Sequence, residues 1–284
     1  MLSIDDGALA VVKVIKNALE SDNGALIGRN GQIELDLVLN QGSTIDSTKL
    51  QILERNAGIY PITQAHIFYR WRDLTKKAIL DADVLATGWY EPLKAAETEA
   101  FEQWLVPAIQ VPLRSLEPYY VDPALQWTRL LSGHKVAVVS SFTQSASSQI
   151  KKGYKGTLPP DVDWQWIQTG HPRIIARGRN EWPPHVHSWI QAADYVVASI
   201  VESGARFALI GCGGLGMPIA KMLKDRGIIA IILGGAIQVL FGIKGRRWAN
   251  HPVISKMWTD DWVWPLDEET PGNAHLIEGG CYWH

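Results

Sequence analysis

The stretch from Phe207 to Leu223 constrains this chain most. Four apolar residues, Phe207 to Ile210, run into the turn Gly211-Cys-Gly-Gly-Leu-Gly216. An apolar helical pattern follows from Met217 to Asp225, and Gly227 closes it. A short, uninterrupted apolar run suits a strand buried on both faces, as in a parallel sheet covered by helices. Strand, glycine turn and helix in that order also form an anion cradle. Bare amides and the positive helix end there can face a diphosphate.

The rest of the chain repeats this alternation. Helical stripes are predicted over residues 7–21, 33–39, 48–59, 64–80, 95–105, 142–152, 189–203 and 236–241. Strands are predicted over 25–27, 83–87, 135–141, 207–210 and 228–233. Trp164 and Trp166, two apart, fit one face of another strand. Residues 42–47 read as a loop, and Pro107, Pro112, Pro118 and Pro123 break the chain into loops with short strands. The tail from Asn250 onward reads as irregular. No internal repeat or low-complexity linker divides the sequence. The pattern predicts one α/β domain over 1–284, Rossmann-like, with a mainly parallel sheet covered by helices on both faces. In such sheets ligands bind beyond the carboxyl ends of the strands. The glycine and polar clusters fall there: Gly28 to Gly31, Gly88-Trp89, Ser140-Ser141-Phe142, Gly211 to Gly216, and Gly234-Gly235.

The glycine turn alone leaves three readings open. A nicotinamide dinucleotide site needs an acid near the end of the following strand, to hold the ribose. Here that strand ends in Gly234-Gly235, which weakens an NAD-dependent oxidoreductase. The glycines can also serve only close helix–strand packing. A nucleoside diphosphate without nicotinamide is the reading preferred.

Composition narrows the partners. The net charge of −2 gives no reason to expect nucleic acid as a partner. Cys212 and Cys281, the only cysteines, make neither a disulfide framework nor a four-cysteine zinc site. The start, Met-Leu-Ser-Ile-Asp-Asp, carries acids where a signal peptide carries bases. The longest mostly apolar run, Ile228 to Phe241, has 14 residues. A transmembrane helix takes about 20. No transmembrane segment and a cytoplasmic location are therefore expected. The 13 tryptophans suit sugar faces, but large aromatics more often fill a core or the interface of a homo-oligomer.

Candidate site residues follow from these clusters. Arg29, at a strand end, is placed to pair with phosphate. Glu34, on the first turn of the next helix, is a candidate ligand for a divalent cation (Mn²⁺ or Mg²⁺) or a base toward a sugar hydroxyl. A plain Arg29–Glu34 surface pair fits the same spacing. Lys244, Arg246 and Arg247 form a basic loop interspersed with glycines, Gly242 just before it and Gly245 within it, suited to a departing diphosphate. Glu278 is a second candidate carboxylate. Gly31, Ser140, Gly211, Gly213, Gly216 and Gln238 complete the candidate donor-binding set. His185 and His187 lack an evident third metal ligand.

At these residues the chain resembles glycosyltransferases of the GT-D fold type and their GT-D-like relatives. The likeness rests on Arg29-x-Gly31-x-x-Glu34, Val136-Ala-Val-Val-Ser-Ser-Phe142, Ala208-Leu-Ile-Gly-Cys-Gly213, the stretch Gly234 to Trp248, and Glu278-Gly-Gly-Cys-Tyr-Trp283. The resemblance implies transfer of a sugar from a nucleotide-sugar donor, commonly UDP-linked, to a hydroxyl of a glycan or glycoconjugate acceptor. The family's first motif is Arg-x-Gly-Asp-Gly-Glu, whose two acids bind metal and donor. Here Gln32 and Ile33 replace the Asp and the second Gly, so Arg29, Gly31 and Glu34 alone carry over. A non-catalytic nucleotide or glycan binder is the reading this departure leaves open.

Overall fold

The computed structural model describes all residues except Met1, Gln41, Ser43, Thr44, Thr63 and Gln64. The strands are β1 (Ala25–Arg29), β2 (Val84–Ala86), β3 (Ile109–Val111), β4 (Lys135–Ser140), β5 (Asp163–Gln168), β6 (Phe207–Gly211) and β7 (Ile229–Ile232). They form one sheet in the order β3-β2-β1-β7-β6-β4-β5, and every pairing is parallel. The α-helices are α1 (Ile4–Glu20), α2 (Gln32–Leu39), α3 (Ser47–Ala57), α4 (Ala65–Leu80), α5 (Lys94–Gln103), α6 (Thr143–Lys151), α7 (Arg173–Ala176), α8 (Trp189–Ser203), α9 (Gly216–Lys224) and α10 (Ala236–Leu240).

The apolar strand runs are explained by burial on both faces. Leu26, Ala137, Val139, Ala208, Ile210, Ala230 and Ile232 face one core, with Trp71 of α4, Val196 of α8 and Leu223 of α9. Their neighbours Ile27, Val136, Val138, Phe207, Leu209 and Ile231 face the other, with Val11 and Ile15 of α1, Trp127 and Ile237. Side chains alternate across a strand, so a strand between two helical layers has no polar position left.

The order of the strands positions the site. From β1 the chain steps outward to β2 and β3. It then returns to β4, beyond two open places, and β6 and β7 later fill the gap between β4 and β1. Connections leave the ends of β1 and its neighbours in different directions, and a crevice opens there.

Several boundaries differ from the sequence reading. Helix α1 starts at Ile4, because Ser3 caps it and its Oγ accepts the Asp6 N–H at 3.1 Å. Strand β1 runs on through Gly28 and Arg29. Gly28 packs tightly inside it, since a Cβ would lie 3.0 Å from Ile232 Cδ1 and 3.2 Å from Met217 Sδ. In the 42–47 loop, Ser43 and Thr44 lie outside the described residues, as does Gln64 at the predicted start of α4. Trp164 and Trp166 do share a face of β5, stacked 5.8 Å apart against Phe241. The tail is irregular, built of 3-10 turns.

Among the described residues, no helix is long and apolar enough to cross a membrane.

Candidate active site

The carboxyl ends of the strands open on a cavity of about 780 Å³. Its lining includes Arg29 from β1, Trp89 after β2, Ser141 and Phe142 after β4, and Gly170 and His171 after β5. Gly211 at the end of β6, Cys212 and Gly213 after it, Gly234 and Gly235 after β7, Arg247, and Glu278 and Tyr282 from the tail also line it. Segments separated by most of the chain length thus meet on one rim.

Arg29 lies in its floor. Its guanidinium stacks on the indole of Trp89 at 4.7 Å, and its Nε donates to the Asn30 carbonyl at 3.3 Å. Among the described residues no carboxylate lies within ion-pair distance of it. Burial lowers its pKa, opposed by the fields of Glu34, Tyr282 and Glu117. A half-buried cation without a close counter-ion is stabilised by an anion that offsets its charge.

Glu34 sits on the first turn of α2. It is 9% exposed, so the surface-pair alternative for Arg29 and Glu34 does not describe it. The carboxylate folds back over Gly31, the N-cap residue. A Cβ at Gly31 would lie 2.7 Å from Glu34 Cδ and closer still to Oε2. Glycine here leaves room for the Glu34 carboxylate in this position; the backbone conformation itself admits any residue. Burial raises the Glu34 pKa above its ordinary 4.5; its own N–H and Arg29 pull it down, and Glu278 adds to the rise. This carboxyl is therefore biased toward holding a proton.

Arg247, itself exposed, lines the same cavity. Its guanidinium lies 4.8 Å from the Trp248 ring and 4.8 Å from the Tyr282 ring. A Cβ on Gly234 would come within 3.0 Å of Arg29 Nη1, and one on Gly235 within 3.2 Å of Arg247 Nη1. Each glycine of the Gly234-Gly235 pair therefore admits one guanidinium, and each of the two lies in the other's electrostatic reach. Glu278 is the resident partner of Arg247, with Oε2 at 3.7 Å from Nη1, and its Oε1 accepts the Tyr282 hydroxyl at 3.2 Å. The tail is fastened from below: Arg247 N–H donates to the Cys281 carbonyl at 2.8 Å, and Gln238 Nε2 to the Tyr282 carbonyl at 2.9 Å.

Four predicted site residues lie outside the cavity lining. Ser140 is 2% exposed, and its Oγ accepts the Phe142 N–H. Gly216 is buried at the start of α9. Gln238 braces the tail, as above. Lys244 points to the Trp258 ring, 5.6 Å away. Gly211 and Gly213 do line the cavity, but both are also packing glycines. A Cβ on Gly211 would meet Ile237 at 2.8 Å, and one on Gly213 (φ +57°) the Ala57 carbonyl at 3.0 Å.

Sequence reasoning missed Glu117 and His171 as lining residues, and it placed Trp89 at the ligand edge without giving it a role. Glu117 is 5% exposed and paired with Arg114 at 2.5 Å; the proline-rich stretch that holds it carries no motif. Burial draws His171 down to about 4, so it is neutral near pH 7. Burial pushes the Cys212 thiol up, which disfavours the nucleophilic thiolate.

A divalent cation meets a poor donor set. Among the described residues, no three of His, Cys, Asp and Glu are grouped to hold one. Both oxygens of Glu278 are engaged, and Glu34 lies in the field of Arg29. These residues do not fit a resident metal.

A scan against protein-family models finds no match for this chain. A search of curated proteins finds none either. Among solved structures, the chain is similar to one described as "Selenomethionine substituted structure of domain of unknown function 1792 (DUF1792)", with TM-score 0.47 and 11% identity over 82% of this chain and 81% of that one.

Proposed function

We propose that this protein moves a sugar from a nucleoside-diphosphate sugar, UDP-linked in the first instance, to a hydroxyl of a glycan or glycoconjugate acceptor. Arg29 carries this reading. It is a half-buried guanidinium in a large cavity, stacked on an indole and, among the described residues, left without a carboxylate at ion-pair distance. Together with Arg247 across Gly234-Gly235, it suits an anion with two neighbouring charged groups.

The chemistry follows from charge. Breaking the sugar–phosphate bond leaves a negative charge on the departing diphosphate, and fixed guanidiniums stabilise it as it develops. Gly211 and Gly213 bring the backbone of the glycine turn to the cavity wall. Glu34 takes the proton of the attacking hydroxyl; a carboxyl whose pKa is raised toward neutrality is better matched to that transfer. Arg29 and Arg247 supply the positive charge that a metal brings in other transferases, so the reaction is read as independent of Mn²⁺ and Mg²⁺. Aromatic walls at Trp89, Trp182 and Trp283 suit the flat face of a base or a sugar.

The test is release of nucleoside diphosphate from a panel of nucleotide sugars, with UDP and GDP binding measured in parallel. Binding without turnover would make the protein a nucleotide or glycan binder. No binding and no turnover with any donor would refute the proposal.

A further inference from the structure

Helix α5 holds a buried acid that the proposed chemistry does not use. Glu97 is 3% exposed. Its Oε2 accepts the Gly88 N–H at 2.7 Å, and no cation lies within ion-pair distance among the described residues. Burying a carboxylate for one amide bond is costly, so the position it fixes is the natural place to look for its purpose.

That position is the turn leaving β2. The Thr87 N–H still bonds the Val111 carbonyl at 3.1 Å, the last rung toward β3. At Gly88, with φ +65°, the chain leaves the sheet, and its N–H passes to Glu97. The next residue is Trp89, whose ring lies under Arg29. The Trp89 Nε1 is buried with no hydrogen-bond partner. Nothing but its backbone and its neighbours therefore sets the indole plane.

We infer that Glu97 is a positioning residue for the anion site: it anchors Gly88, which sets Trp89, which holds the Arg29 guanidinium facing the cavity. The inference rests on the proposed binding of a nucleoside diphosphate at Arg29, and extends it to a residue on a different helix that touches no ligand. Glu97 acts as a hydrogen-bond acceptor, so its charge is dispensable. Glu97→Gln retains an oxygen for the Gly88 N–H, whereas Glu97→Ala leaves that N–H unpaired.

Two measurements test it. The first is the indole N–H resonance of Trp89 in the ligand-free protein, assigned with Trp89→Phe. It shifts in Glu97→Ala and stays in place in Glu97→Gln. The second is UDP affinity by calorimetry. Glu97→Ala weakens binding about tenfold, the scale of one lost hydrogen bond to a charged group. Glu97→Gln binds as the parent does. In a Trp89→Ala background, Glu97→Ala costs nothing further, because its effect passes through the indole. Should Glu97→Ala fail to fold, Glu97→Met fills the space without an acceptor and is read the same way. Equal UDP affinity in Glu97→Ala and the parent, or additive losses in the double variant, overturns the inference. An unmoved Trp89 resonance in folded Glu97→Ala overturns it as well. A shifted resonance in a parent that binds no UDP upholds the anchoring and sinks the diphosphate reading instead.

Discussion

Replacing Gly31 by Ala separates the position of Glu34 from its presence. The Gly31 backbone sits at φ −74° and ψ 169°, open to any residue. Losing glycine at an N-cap in favour of alanine costs about 1 kcal/mol. Restricting the unfolded chain returns about 0.4–1 kcal/mol. The net effect on stability is thus within about 1 kcal/mol, a Tm change of roughly 2–4 °C for a chain of this size. The site responds differently. The new Cβ would start 2.7 Å from Glu34 Cδ, and carbon atoms settle at about 3.5–4.0 Å. The carboxyl must move by about 1 Å, which at a reacting centre costs on the order of 100-fold. That corresponds to about 2.7 kcal/mol of barrier. The assay is steady-state release of nucleoside diphosphate, with UDP affinity and Tm measured on the same preparation. Rate falls while UDP affinity is preserved, since Arg29 and Arg247 stay in place. Gly133→Ala is the control. With φ +71° and nothing within 4 Å of a new Cβ, it brings left-handed strain of about 1 kcal/mol and no change in rate. Full activity in Gly31→Ala would show that the seat of the carboxyl is irrelevant to the reaction.

Other perturbations reach the remaining groups. Glu278→Gln removes the resident counter-ion of Arg247, so UDP binds several-fold tighter and KM for the donor falls; a collapse of kcat at unchanged affinity would instead make Glu278 a catalytic carboxylate. Arg247→Lys loses the planar fork and its stacking between Trp248 and Tyr282, and UDP affinity drops about tenfold by calorimetry. Burial raises the Glu34 pKa above 4.5, so the folded chain binds the extra proton and stability falls as pH rises above 4.5. Glu34→Gln therefore unfolds at higher temperature than the parent near pH 7, and the gain disappears below about pH 4 in thermal melts. EDTA leaves both UDP binding and turnover unchanged; loss of turnover restored by Mn²⁺ would contradict the two-guanidinium reading.

The strands were legible because of where they lie. A strand buried on both faces leaves an unbroken apolar run, as in residues 136–139 and 207–210, and the glycine and polar clusters that follow mark its end. Arg29, Gly31 and Glu34 were found by adjacency, since a turn and a helix start bring them together locally. Glu117 and His171 escaped, because each reaches the cavity only through the strand order. Lys244 was assigned to the site as part of the basic loop, and Gln238 lies in the Gly234–Trp248 stretch that carries the resemblance. In the structure they face a tryptophan ring and a tail carbonyl instead.

Local chemistry alone therefore determined the alternation of strands and helices, the burial of the sheet on both faces, and the edge at which polar chemistry collects. Only the tertiary structure decided which of those polar residues face one another. Arg29 and Arg247 are separated by more than two hundred residues, and they become neighbours because β7 inserts beside β1 and ends in two glycines small enough to admit both. Periodicity records what each residue buries, but a pairing across the sheet depends on strand order, which no local pattern encodes.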